Sequence, residues 1–211
     1  IESVSAEDPT QIIGVNSRFD IAKVHSLLNE KKINTLMRQG VTIIAPQNTF
    51  IGPQVEVGQD TIIHPFTEIE GKVSIGKNCS IGPFARIRGD CFLKDAVIIG
   101  NFVELIRTRV GENSRVKHHT YLGDTVVGKN VNVGAGTIVA NYDGKTKNKT
   151  YIEDGAFIGC GTVLVAPVKV GKNAITGAGC VVTKGKDVSD ESVVVGIPAR
   201  PIKCGHKGSR R

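Results

Sequence analysis

Residues 51–105 read IGPQVEVGQDTIIHPFTEIEGKVSIGKNCSIGPFARIRGDCFLKDAVIIGNFVEL. Steps of six through this stretch land on Ile51, Val57, Ile63, Ile69, Ile75, Ile81, Ile87, Leu93, Ile99 and Leu105, all of them aliphatic. Two residues before each stands a small or β-branched side chain: Thr49, Val55, Thr61, Thr67, Val73, Cys79, Ala85, Cys91, Val97 and Val103. A strand places residues i and i−2 on one face, so both positions point inward. Glycine often follows the aliphatic, as at Gly52, Gly58, Gly76, Gly82 and Gly100, where it permits a turn that a side chain would obstruct. The unit is a very short strand, a turn and another short strand.

A second period lies on top of the first. Phe66, Phe84 and Phe102 are spaced by 18, each three residues after an inward aliphatic. Three hexads per revolution make a three-sided coil with phenylalanines stacked along one side. Beyond Leu105 the series resumes after a five-residue step at Val110, Val116 and Leu122, and after another at Val127, Val133 and Val139. A longer excursion precedes Ile152, Ile158, Leu164, Val170, Thr176 and Val182. The expected architecture is an all-β parallel β-helix of about seven three-sided coils, roughly 30–35 Å long at about 4.8 Å per rung.

Composition agrees. The 211 residues include 25 Gly, no Trp, one Met, and 23 Ile and 26 Val against only 7 Leu. Branching at Cβ favours strands over a helical bundle. A hydrophobic content of 40 % excludes a disordered chain. The net charge of +7 suits phosphorylated small molecules. The basic residues form no long helix and do not alternate with aromatics, so no nucleic-acid partner is expected. No apolar run approaches the roughly 20 residues of a membrane span, so no membrane insertion is expected. Five Cys without CxxC spacing argue for a reducing, cytoplasmic setting.

Outside the repeat, the apolar spacing of Ile21, Val24, Leu27, Leu28, Ile33, Leu36 and Met37 predicts a helix, with Asp20 as its cap and Gly40 as its stop. The chain therefore divides into a leader (1–19), a helical arm (20–40), the β-helix (41–185) and a closing segment with a basic tail (186–211). Departures from a repeat are where function is sought. They cluster here at the two five-residue steps and at the polar excursion Ala140 to Tyr151. Between the steps, Val116, Thr120 and Leu122 point inward, which leaves His118 and Tyr121 on turn or outward positions. A histidine there is a candidate general base.

These residues carry a resemblance. His118-His119-Thr120-Tyr121-Leu122-Gly123-Asp124, Asn132-Val133-Gly134-Ala135-Gly136-Thr137 and Asn141-Tyr142-Asp143-Gly144 resemble the acetyltransferase half of the bacterial bifunctional N-acetylglucosamine-1-phosphate uridylyltransferase / glucosamine-1-phosphate acetyltransferase family. So do Ile81-Gly82-Pro83-Phe84-Ala85-Arg86-Ile87-Arg88, Asn101-Phe102-Val103-Glu104 and Leu164-Val165-Ala166-Pro167-Val168. Gly14-Val15-Asn16-Ser17-Arg18 resembles the end of that family's uridylyltransferase domain, and the following helix its connecting arm.

The resemblance implies a left-handed coil and a homotrimer with active sites between subunits. It implies acetyl-CoA as co-substrate and glucosamine 1-phosphate as acceptor, in UDP-N-acetylglucosamine synthesis. His118 would be the general base, with Glu104 able to orient it. Arg88, Tyr121 and Asn132 match sugar-phosphate positions. Ala135 matches a position whose backbone meets the acetyl group. Asn141, Tyr142, Cys160 and Ala178 match coenzyme-A positions. Asn16 matches a metal-ligand position of the uridylyltransferase site, where Mg2+ would serve that other domain only.

The chain also departs from the family. Ile106 stands where the family has a phosphate-binding Lys, and Arg107 beside it is placed among the substrate-binding residues instead. Cys160 replaces Ser, and Gly196, with Arg200 close by, stands where an Arg reaches coenzyme A. Cys79, Cys91 and Cys180 fall on the small inward position and read as packing. Two other readings stay open: a hexapeptide acyltransferase for another amino sugar or UDP-amino sugar, and a non-catalytic structural subunit.

Overall fold

A computed structural model of the chain describes residue 5 and residues 8–202. The basic tail from 203 onward and part of the leader lie outside the described residues. Strands of two or three residues follow one another around a triangular prism, with two exceptions of nine residues, Ile98–Ile106 and Arg115–Gly123. The coil is the left-handed β-helix that the resemblance implies. Of the inward aliphatics from Ile51 to Val182, only Val57 is not fully buried, and all ten inward companions from Thr49 to Val103 are buried.

Each face is a parallel ladder. The first stacks Ile43, Ile63, Ile81, Ile99, Val116, Val133, Ile158, Thr176 and Val194. The second stacks Ile51, Ile69, Ile87, Leu105 and Leu122, then Val139, Leu164 and Val182. The third stacks Val57, Ile75, Leu93, Val110, Val127, Ile152, Val170 and, through a single bridge, Val188. The two nine-residue strands run unbroken around the corner between the first and second faces, so those faces merge into one 16-stranded sheet.

The prism has about eight turns, where the hexad count gives about seven. The extra turn comes from both ends. Ile43 begins the first ladder before the quoted stretch, and Val193–Val195 pairs in parallel with Ile175–Thr176 after residue 185. Arg200–Pro201 then folds back antiparallel on Val194 and Val195 and ends the coil.

The helix spans Arg18–Arg38. Its cap is Ser17 rather than Asp20. The Ser17 hydroxyl accepts from the Asp20 backbone N–H, and the Asp20 carboxylate accepts from Ser17, a reciprocal capping box. Gly40, at φ +89°, follows the last turn as expected. Only Ile33 and Leu36 of the expected apolar face are buried; Ile21 and Leu28 are exposed, so the arm's first half stands clear of the prism. Asn29 ties the second half down. Its amide Nδ2 donates to the Thr49 carbonyl and its Oδ1 accepts from the Ile51 N–H, both at 2.9 Å.

The corner between the first and second faces carries a column of strained backbone. Phe66, Phe84, Phe102 and His119 all sit at left-handed φ, from 45° to 58°, which costs a non-glycine residue about 1–2 kcal/mol. Their rings stack in one column at 5.0, 5.2 and 5.0 Å between centroids, and each such pair returns about 0.5–1.5 kcal/mol. The expected phenylalanine stack is present, with a histidine as its fourth ring.

Candidate active site

His118 projects from this corner, between the first and second faces, and is exposed. Backbone bonds define a column above it. The Gly136 N–H donates to the His118 carbonyl, Gly161 to Ala135 and Gly179 to Cys160. His118, Ala135, Cys160 and Ala178 therefore occupy one turn position on successive coils, spanning about 14 Å at about 4.8 Å per coil. Ala135 is half-buried, and Cys160 and Ala178 are exposed. Small side chains keep the column open. The preceding position needs glycine: a Cβ on Gly134 would lie 2.6 Å from the Ile158 carbonyl and the Cys160 N–H of the next coil.

Below His118 lies Asn101, its direct ladder partner. Nδ1 of His118 is 2.8 Å from Oδ1 of Asn101. Glu104, a ladder residue able to orient the histidine, holds Arg88, whose Nη2 and Nε lie 2.7 and 2.9 Å from its Oε1. Arg88, Glu104 and Tyr121 lie along the outer side of the second face. Asn132 stands on the first face, between Arg115 and Phe157. His118 thus has candidate sugar-phosphate residues on both sides of its corner.

The other end of the second face is built differently. The five-residue steps tighten the corner toward the third face, and Arg107 and Asp124 take φ of 49° and 52° there. They meet as a two-pronged pair, Nε–Oδ1 at 2.5 Å and Nη2–Oδ2 at 2.8 Å. Asn141, buried at 6 % exposure, donates to Asp124 Oδ2 at 2.6 Å. The Tyr121 hydroxyl reaches Asn141 Oδ1 at 3.5 Å. Hydrogen bonding to Arg107 holds the Asp124 carboxyl below the usual carboxylate range and raises the guanidinium in turn. Arg107, placed among the substrate-binding residues beside Ile106, is thus engaged by Asp124 in this chain. Its left-handed backbone turns it into the corner, where Asp124 engages it. Ile106, above Arg88 in the ladder, is buried and apolar.

The excursion after Ala140 projects from this second corner. Asp143 organises it, accepting from the Thr146 and Lys145 N–H groups, from Asn148 and from Lys184. The backbone bonds from Thr146 and Lys145 hold its carboxyl far below the usual range. Tyr142 is exposed and its hydroxyl donates to the Gly144 carbonyl at 2.7 Å. Asn141 and Tyr142 thus lie a face away from the column of Ala135, Cys160 and Ala178. The two groups of candidate coenzyme-A residues are therefore half-sites at different corners of one chain.

Asn16 lies before the helix, its backbone N–H donating to Asp20. Among the described residues, no group of three or more His, Cys, Asp or Glu could hold a metal ion. Cys79, Cys91 and Cys180 are buried in the core, and burial pushes their thiols up. Among the described residues, no helix is long and apolar enough to cross a membrane.

The repeat and its coil agree with known families. The bacterial transferase hexapeptide profile (six repeats) matches residues 149–184, and the GMPPB C-terminal domain profile matches residues 46–143. The chain is 44 % identical to the bifunctional protein GlmU of Thermosipho melanesiensis over 92 % of its own length and 50 % of the relative's. It is 44 % identical to that of Fervidobacterium nodosum, covering 99 % of the chain and 53 % of the relative. For Koribacter versatilis the identity is 36 %, covering 100 % and 52 %. The chain spans about half the length of the curated relatives it matches. In fold it is similar to the Francisella novicida UDP-N-acetylglucosamine acyltransferase, with TM-score 0.52, 16 % identity, and 76 % of this chain and 70 % of that one covered.

Proposed function

We propose that the chain is an N-acetyltransferase that moves the acetyl group of acetyl-CoA to the amine of glucosamine 1-phosphate, in the supply of UDP-N-acetylglucosamine. The observation that carries this reading is the column at the first corner. A histidine lies at its foot, and an open line of small side chains rises from it, suited to an extended thioester-bearing arm. Coenzyme A lies along Ala135, Cys160 and Ala178 with its thioester near His118. Nε2 of His118 takes a proton from the amine, and nitrogen attacks the carbonyl carbon. The C–N bond forms as the C–S bond breaks, and the imidazolium returns its proton to the leaving thiolate. The Ala135 backbone meets the carbonyl oxygen as charge develops on it in this reading. Arg88 offers a planar fork of donors to the sugar phosphate.

The two half-sites support a homotrimer. Asn141 and Tyr142 cannot reach the column of their own chain across a whole face, but a neighbour's second corner set against the first would complete the site. The four described free cysteines fit a reducing cytoplasm. The uridylyl transfer and Mg2+ of the bifunctional family are not assigned to these residues, Asn16 included.

A steady-state assay tests the reading, with glucosamine 1-phosphate compared against UDP-linked amino sugars. Turnover with glucosamine 1-phosphate that His118→Ala abolishes is the expected result. A second reading, acylation of a UDP-amino sugar, is favoured by Ile106 and by the engagement of Arg107 with Asp124, since both remove a cation from beside the phosphate. A large preference for the UDP sugar would replace the first reading with the second. Sedimentation as a monomer would remove the shared site.

A further inference from the structure

Asn101 makes the contact that decides which nitrogen of His118 can act as a base. The two are direct partners in the ladder between Ile98–Ile106 and Arg115–Gly123, the strands that run unbroken around the corner. Each is followed by a residue in the left-handed region, Phe102 at φ 55° and His119 at φ 45°. Those two rings stack at 5.0 Å. The stack locks one turn upon the other, so the side chains one position earlier leave the corner side by side. In the two coils below, that turn position is Pro65 and Pro83. Of these three coils below His118, the one directly beneath it brings a hydrogen-bonding side chain into the column.

Oδ1 of Asn101 lies 2.8 Å from Nδ1 of His118. An amide oxygen accepts and cannot donate. Nδ1 therefore carries the ring proton, and the free lone pair is left on Nε2, the nitrogen turned away from Asn101. We propose that Asn101 is the positioning residue of the site: it holds the neutral His118 ring as the Nδ1–H tautomer and aims the basic Nε2 at the acceptor amine. The identity of that amine rests on the acetyltransferase reading; the hold on the ring does not.

The choice of an amide has a chemical consequence. A carboxylate at this place would also accept from Nδ1, but its charge would bind the imidazolium more tightly than the imidazole. The proton gained from the amine must be handed on to a leaving thiolate. A neutral partner orients the ring without retaining that proton. No carboxylate on the packed strands takes over. The charged and titratable groups nearby are Arg115, Lys117, His119 and Tyr121 on the histidine's own strand and Glu104 on the strand below. Glu104 is bound to Arg88 at 2.7 Å. The coil above offers Asn132 to Thr137, none of them titratable.

The test uses the whole chain with 15N-labelled histidine, read by ring-nitrogen NMR and by the pH profile of kcat/KM. The neutral wild-type ring is expected to show a protonated Nδ1 and an unprotonated Nε2. Asn101→Ala is expected to mix the tautomers and to lower kcat by roughly tenfold or more, short of the full 10²–10⁴ of a general base, with the KM for acetyl-CoA within about twofold. Asn101→Asp is expected to keep the tautomer while moving the acidic limb of the profile up by about one pH unit or more. A resting ring protonated on Nε2 would overturn the proposal. So would an Asn101→Ala protein with unchanged tautomer and unchanged kcat. If the Nδ1–H ring is seen but no amino sugar is acetylated, the acetyltransferase reading falls and the hold of Asn101 on the ring stands.

Discussion

The two corners of the second face start from the same backbone geometry and end with opposite chemistry. Both place non-glycine residues in left-handed turns, stacked coil upon coil. At the first corner these are Phe102 and His119, which stack on each other and leave the preceding turn position open to solvent. At the second they are Arg107 and Asp124, which pair with each other and close the corner. One corner uses its strain to present side chains outward. The other uses ionic hydrogen bonds to fix Asn141 and the hydroxyl of Tyr121 in place. A regular scaffold therefore offers every corner as a site, and the residue in the turn decides which of them is one.

This contrast can be broken at several points. His118→Ala should lower kcat by 10²–10⁴, the usual contribution of a general base, and a fall of less than about tenfold would remove the first corner as the catalytic one. Asp124→Asn should act on stability instead. The pair is only partly buried, with 34 % and 13 % side-chain exposure, so a loss of about 1–2 kcal/mol is expected, between exposed and fully buried pairs. Chemical denaturation measures it. The sign with pH follows from the lowered carboxyl: the pair's contribution is complete above the unfolded carboxylate pKa of about 3.9 and fades as pH falls through the lower folded value. Wild type and variant should thus differ between pH 5 and 8 and converge in strong acid.

Ala178→Phe, at the top of the open column, should raise the KM for acetyl-CoA by about tenfold, roughly 1.4 kcal/mol, with kcat nearly unchanged. An unaltered KM would move the coenzyme off this corner. Phe84→Ala removes the centre of the aromatic column and two stacked contacts. About 1–2 kcal/mol of stability should go with it, visible in a thermal melt, while KM stays the same.

The hexad made the core legible because each inward position is fixed by counting alone. It also located the turn that bears His118, but not its partner. Asn101 reads as an ordinary turn former. The signal for it was the coil length: one five-residue step shortens a revolution from 18 residues to 17, and 17 residues before His118 is Asn101. The course of the Arg107 side chain was hidden for a related reason. Adjacent residues in a strand alternate sides, but a left-handed residue at a tightened corner does not continue the alternation, and only the Asp124 pairing reveals where it goes. At the helix, the apolar spacing begins at Asp20 and points to it as the cap, whereas the capping box makes Ser17 the cap and puts Asp20 in the first turn. The number of turns fell short because the first and last rungs lack the full hexad pattern.

The Asn29 contact bears on more than the helix. A stack of extended rungs 4.8 Å apart is also how fibrils grow. An uncovered first rung would be a template for the backbone of another molecule. The Asn29 carboxamide occupies the hydrogen-bonding groups of Thr49 and Ile51 that such a strand would take. At the far end, Arg200–Pro201 reverses direction on the last rung, so that no parallel strand can follow there. The chain is in this sense a filament of fixed length, stopped at one end by the helix with its Asn29 amide and at the other by a change of direction.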